Sequence, residues 1–167
     1  MRKLENNPKP NQTYNNTART TFWHSDELGR TKKVEFKLSR LVQGKRSNYQ
    51  QGKANKNGIN RPVEVYEGGH LLGDRFGYDA LAINLVPMIK SLNQGNYKLI
   101  ENFWHSELDK GQKITNGVIK IKYFGSSRCP AFIEVSYKIN HINYKHNLVN
   151  DSAFNCWGER DITEAFK

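Results

Sequence analysis

Four polar side chains in one stretch of the chain are of types that can do chemistry together: His70, Asn84, Asn93 and Glu101. His70 closes the run Glu67-Gly68-Gly69-His70 and precedes Leu71-Leu72. Asn84 opens Asn84-Leu85-Val86-Pro87, Asn93 sits in Leu92-Asn93-Gln94-Gly95, and Glu101 follows eight residues later in Ile100-Glu101-Asn102. One imidazole, two amides and one carboxylate suit metal-assisted cleavage of a phosphodiester. That reaction needs a base for water, a cation for the phosphate charge and stabilisation of the leaving oxygen. Histidine suits the base because its ordinary pKa lies near neutrality. Mg²⁺ prefers oxygen ligands and keeps several of its waters, so one amide oxygen and one carboxylate can serve it. Taken singly, each residue also fits an ordinary role: a loop histidine, a strand-end or turn amide at Asn84, a residue near a helix N-cap at Asn93, a solvated carboxylate at Glu101.

The elements that must position this set can be read from periodicity. Val63-Glu64-Val65-Tyr66 reads as a short strand ending at Gly68-Gly69, and Ala80 to Met88 as a more buried strand that Pro87 ends or puts at an edge. Leu92, Leu99, Ile100, Phe103, Trp104 and Leu108 recur at helical spacing before Gly111, which predicts an amphipathic helix over about 90–110 with an irregular first turn at Gly95. Eight helical positions differ by about 80° around the axis, so Asn93 and Glu101 are expected on one broad face with Tyr97 between them. Around this core, residues 34–42 read as a strand and 44–62 as a loop. Val118–Phe124 with Ala131–Ile139 read as an antiparallel hairpin turned by Gly125 to Pro130. The tail from His146 is mixed, with a last helical turn expected over Asp161–Lys167. The class is α+β: an antiparallel sheet with one prominent helix and a strand-strand-helix unit carrying the polar set.

The ordered set resembles the DNA/RNA non-specific endonuclease family of the ββα-metal (His-Me finger) fold. Gly69-His70-Leu71-Leu72 is similar to the end of the family's Asp-Arg-Gly-His motif, Asn84-Leu85-Val86-Pro87 to its Asn-X-X-Pro segment, Asn93-Gln94-Gly95-Asn96-Tyr97 to the start of its metal helix, and Glu101-Asn102 to its Glu-Asn. The resemblance covers residues 60–110 well and extends loosely to about 155. It implies that His70 is the general base, Asn93 a direct metal ligand, Glu101 the holder of the metal's water shell, and Asn84 a residue that positions His70 or the phosphate. It implies Mg²⁺, with Mn²⁺ possible, as the cofactor. One departure stands out: Glu67 occupies the position of the motif's Asp and Gly68 that of its Arg. A cation for the phosphate is then expected from Arg75 first and Arg61 second.

At 167 residues a single domain is expected over 21–167, with 1–20, rich in Asn, Thr and Pro, as a linker or arm. No run of about 18 apolar residues exists, so no membrane span is expected. The basic start has no apolar region, so as it stands it is not a signal peptide, and export is expected from a larger parent chain or a dedicated machine. Cys129 and Cys156 lack CxxC spacing, which excludes the usual cysteine zinc site and leaves two thiols or one disulfide. The net charge of +10 is lopsided: residues 1–60 carry 13 Lys and Arg against 4 Asp and Glu. Arg46, Lys53, Lys56 and Arg61 are the expected nucleic-acid-binding cations of a basic track; a solvated face and a docking surface for an acidic protein are the alternatives. A track that grips phosphate and not base edges gives sequence-nonspecific cleavage of DNA, and RNA is the second candidate.

The resemblance extends to the toxin-associated branch of the family, since Leu4-Glu5-Asn6-Asn7 is similar to the Val-Glu-Asn-Asn junction of contact-dependent inhibition toxins. It implies a C-terminal toxin domain of an inter-bacterial competition system: secreted or delivered, acting in the target-cell cytoplasm, and monomeric apart from a complex with an acidic immunity protein. The alternative from another class is a basic nucleic-acid-binding module without catalysis.

Overall fold

Alternating apolar and polar residues build most of this chain. The computed structural model describes residues 5–42, 47–55 and 66–150. Within them, β1 (Thr13–Asn16), β2 (Thr21–Ser25), β3 (Thr31–Leu38), β6 (Ile114–Tyr123), β7 (Pro130–Ile139) and β8 (Ile142–Val149) form one antiparallel sheet in the order β1-β2-β3-β6-β7-β8. The hairpin expected over 118–139 is β6–β7, with Ile119 opposite Val135 and Ile121 opposite Ile133. A two-residue turn joins β7 to β8, with Asn140 and His141 both at positive φ (48° and 66°). That turn type is usually marked by Asn-Gly, so Asn-His conceals it in the sequence.

Between β3 and β6 the chain leaves the sheet. Helix α1 (Asn48–Asn55) comes first, then the antiparallel pair β4 (Tyr66–His70) and β5 (Leu85–Ile89), then a short α2 (Lys90–Asn93) and the long α3 (Asn96–Asp109). This is the expected strand-strand-helix order. The buried face of α3 is Tyr97, Ile100, Trp104 and Leu108. Trp104, fully buried, meets Phe36 of β3 at 5.2 Å, Tyr137 of β7 at 5.3 Å and Phe76 of the β4–β5 connection at 5.9 Å between ring centroids. One indole therefore joins helix, sheet and connection. Burying an aromatic side chain of this size contributes several kcal/mol, about 3–5 lost on truncation to alanine.

Several expectations need correction. The arm expected over 1–20 contains β1, paired residue for residue with β2, and Asn6 accepts a hydrogen bond from the Ala82 amide through its side chain (3.1 Å). A polar edge strand carries no apolar alternation, which is why composition misread it. The loop expected over 44–62 contains α1. Gly68 and Gly69 lie inside β4 and do not end it. The buried strand expected over 80–88 begins only at Leu85, after a 3-10 turn over Ala82–Asn84. The helix over 90–110 is broken at Gln94–Gly95, so Asn93 and Glu101 sit on two helices and the single-helix face does not apply. The expected turn over 161–167 and the pairing of Cys156 lie outside the described residues; Cys129 is buried.

Candidate active site

The cleft forms where the end of β4, the connection after it and the α2–α3 junction converge. His70 is the last residue of β4, opposite Leu85. Directly behind it, Asn84 is buried, 1% exposed, and fully engaged. Its main-chain carbonyl accepts from the Leu71 amide (2.9 Å). Its side-chain carbonyl accepts from the Leu72 amide (3.1 Å) and the Trp23 indole (3.3 Å), and its amide nitrogen donates to the Leu72 carbonyl (2.8 Å). Both hydrogen-bonding groups of Leu72 are thereby held by one side chain. Asn84 fixes the main chain that carries His70 and does not itself line the cleft. Trp23 belongs to this clamp and to the core.

Asn93 ends α2. Its Nδ2 donates to Glu67 Oε2 (2.8 Å) on β4, and the neighbouring Gln94 Nε2 donates to Glu67 Oε1 (2.6 Å). An ionised carboxylate only accepts hydrogen bonds, so the amide nitrogen must face Glu67 and the amide oxygen must face away. That oxygen lies against the β4 backbone, 3.0 Å from where a Cβ on Gly69 would stand. Glu101, on α3, lies against the connection: a Cβ on Gly73 would stand 2.6 Å from its Oε1. Its negative charge also reaches Tyr97. Burial first, and Glu101 second, push the Tyr97 hydroxyl well above its ordinary value, and that hydroxyl donates to the Leu71 carbonyl at 2.6 Å.

His70, Asn93, Glu101 and Arg75 line one cleft of about 660 Å³, together with Gln51, Glu67, Gly68, Gly73, Asp74, Gln94 and Lys98. The structure thus brings together four of the expected residues. Lys98 and the pairing role of Glu67 had escaped the sequence reading: Lys98 is one more helix lysine, and Glu67 meets its amide partners only through the fold.

Some cations of the basic stretch from Arg30 to Arg61 are engaged within the fold. Arg30 is buried, its Nε donating to Asp26 Oδ2 (2.6 Å) and its Nη1 to the carbonyls of Gly125 and Ser127. Lys33 pairs with Glu35 on β3. Lys53 lines a different cavity, beside Arg30, Tyr123 and Arg128. Arg46, Lys56 and Arg61 lie outside the described residues. No helix among the described residues is long and apolar enough to cross a membrane.

A polar cleft of this make-up on a strand-strand-helix unit, beside an antiparallel sheet, defines a ββα-metal nuclease fold. Two solved structures share it. The chain superposes on a structure described as Sda1 nuclease with bound zinc ion (TM-score 0.58, 15% identity, 79% of this chain and 76% of that one). It superposes also on an extracellular endonuclease (TM-score 0.56, 20% identity, 84% and 83%). The DNA/RNA non-specific endonuclease family model matches residues 10–141, and the chain belongs to that family. It is accordingly a phosphodiester hydrolase, and a divalent metal cofactor goes with the family. A curated relative is the type VII secretion system protein EssD of Staphylococcus aureus (strain USA300), 29% identical over 124 residues that make up 71% of this chain. The chain spans 20% of the length of that relative.

The residues present fit a hard divalent cation. Among the described residues no group of three or more His, Cys, Asp and Glu side chains is gathered as a ligand set. Asn93 and Glu101, which line the same cleft, offer an amide oxygen and a carboxylate, donors that suit an ion that keeps most of its water.

Proposed function

We propose that this chain is a Mg²⁺-dependent, sequence-nonspecific endonuclease acting on DNA, and that it serves as the toxin domain of a bacterial competition system. The observation that carries the catalytic reading is the convergence of His70, Asn93 and Glu101 on one polar cleft, with the Asn93 oxygen turned away from Glu67. His70 takes a proton from the attacking water. Asn93 would hold the cation directly, and Glu101 would accept hydrogen bonds from its water shell. When bound, the cation neutralises charge on the phosphate and on the departing oxygen. Asn84 keeps the main chain after His70 rigid, so the imidazole does not drift from the attacking position. Mn²⁺, another oxygen-seeking ion, can replace Mg²⁺ on the same donors, and RNA is the second substrate.

Delivery as a secreted effector is supported by the likeness to a type VII secretion system protein; action in the target-cell cytoplasm and neutralisation by an acidic immunity protein complete the proposal. The acidic character of that partner is supported by the net charge of +10.

The test is plasmid digestion with Mg²⁺, with and without EDTA, for the wild type and two variants. We expect nicking and linearisation with Mg²⁺ only. His70→Ala should lower the rate by about 10²–10⁴-fold, the range of general-base catalysis. Asn93→Ala should abolish metal-supported cleavage while DNA still shifts on a gel. Wild-type cutting by His70→Ala would remove the base assignment. Intact DNA across a range of metals, with a salt-sensitive shift, would make the chain a binding module.

A further inference from the structure

The family motif that the sequence resembles has an arginine immediately before the glycine and histidine; here that position is Gly68. The structure gives the reason. A Cβ on Gly68 would stand 2.2 Å from the Gln51 carbonyl oxygen, 2.6 Å from its Cα and 2.7 Å from its carbonyl carbon. All three are backbone atoms of α1, which lies directly on β4 at this point. No side chain of any kind fits at 68 while α1 is in place.

The cations that line the cleft among the described residues are Arg75 and Lys98. They are held very differently. Arg75 lies within two overlapping tight turns, in which the Phe76 amide donates to the Gly73 carbonyl (3.0 Å) and the Gly77 amide to the Asp74 carbonyl (2.9 Å). Its Cγ is 3.7 Å from the same Gly73 Cβ position that touches Glu101, so its stem passes beside the carboxylate. Its guanidinium carbon lies 5.9 Å from the ring of Phe76, itself locked against Trp104. Its Nη1 donates to Asn102 Oδ1 at 2.6 Å, across from the turn to α3. Lys98 is an exposed side chain on α3.

We propose that the phosphate-contacting cation has been moved off the strand and onto the turn that follows it: Arg75 touches the scissile phosphate, and Asn102 positions Arg75. The inference rests on the phosphodiesterase reading of this cleft. Asn102 engages one N–H of the guanidinium fork and fixes its plane. The remaining N–H donors of the planar fork match the spacing of two phosphate oxygens and favour the more highly charged transition state. Lys98, a mobile point charge, contributes to attraction of the strand and not to orientation.

Steady-state kinetics on a defined DNA duplex with Mg²⁺ test this, with thermal melts to confirm folding. Arg75→Ala should lower kcat by about 10²–10³-fold, the loss typical of removing one transition-state donor, with a small change in KM. Millimolar guanidinium in the buffer should restore part of that rate. Arg75→Lys, which keeps the charge and loses the fork, should stay well below wild type. Asn102→Ala should lower kcat by roughly tenfold in the wild-type background and have no further effect in Arg75→Ala, because the two act as one unit. Lys98→Ala should raise KM and leave kcat nearly intact. The proposal is overturned if Arg75→Lys cleaves at the wild-type rate, if guanidinium fails to rescue a folded Arg75→Ala, or if the kcat loss falls on Lys98→Ala. An inactive wild type, or an active His70→Ala, would instead sink the underlying reading. Wild-type activity with a dead His70→Ala and a fully active Arg75→Ala would sink this inference alone.

Discussion

If Asn93 holds the cation as proposed, Glu67 is the residue that fixes which end of the Asn93 amide faces the ion. Both of its oxygens are used, one by Asn93 Nδ2 and one by Gln94 Nε2. Glu67→Gln changes no volume but supplies an amide nitrogen that can donate to the Asn93 oxygen and turn the Asn93 side chain around. We expect Mn²⁺ to bind this variant about 10–100-fold more weakly, the range for loss of such a partner. The check is the rise in melting temperature with added Mn²⁺, a readout that needs no catalysis. Glu67→Asp should recover part of the affinity. A Mn²⁺ titration of Glu67→Gln that overlays the wild type would remove this role. At this scale order and spacing led one to expect His70, Asn93 and Glu101 together, and the structure places the three on one cleft. The sequence pointed to Arg75 but was silent on its partner: Arg75 and Asn102 are 27 residues apart, and nothing in either neighbourhood announces the other.

Helix α1 is the element that most changed the site. Its sequence, Asn-Tyr-Gln-Gln-Gly-Lys-Ala-Asn, has no apolar stripe, so its place is set by contact with β4 and β5 and not by an amphipathic face. That is why periodicity found the β6–β7 hairpin and the buried face of α3 but missed α1. Edge strands β1 and β8 fall between these cases, since one face of each is solvated. The two glycines at this contact give opposite expectations. Gly68→Ala forces α1 away from the strand and should destabilise the protein by about 1–3 kcal/mol, as overpacking does. Gly52→Ala, inside α1 with nothing within 4 Å of its Cβ, should be neutral or stabilise by up to about 1 kcal/mol through helix propensity. Urea denaturation of both variants checks the pair. Equal stabilities would mean that α1 does not rest on Gly68 in solution.

Over the whole molecule, stability is expected to depend on pH through His146. Its imidazole stacks on Tyr137 and shares a 2.8 Å hydrogen bond with the Tyr137 hydroxyl. Burial holds its pKa below the ordinary 6.5, and burial also pushes Tyr137 up to about 12. The fold thus favours neutral imidazole, while the unfolded chain takes up a proton once pH falls below about 6.5. Below that value the unfolded state binds more protons, and stability falls with pH until the depressed native value is passed. Melting temperatures between pH 7.5 and 5 should show this decline, and His146→Gln should flatten it. An unchanged slope in the variant would assign the decline to other groups. The path of the chain has a different consequence. Residues 39–113 depart after Leu38 of β3 and return at Ile114 of β6, which stand opposite each other in adjacent strands. The residues proposed to cut lie on this excursion between two paired strands, and its Trp104 packs back onto Phe36 and Tyr137 of the sheet. Because its two ends are held by one cross-strand pair, a change of length within it leaves the pairing of Leu38 with Ile114 in place.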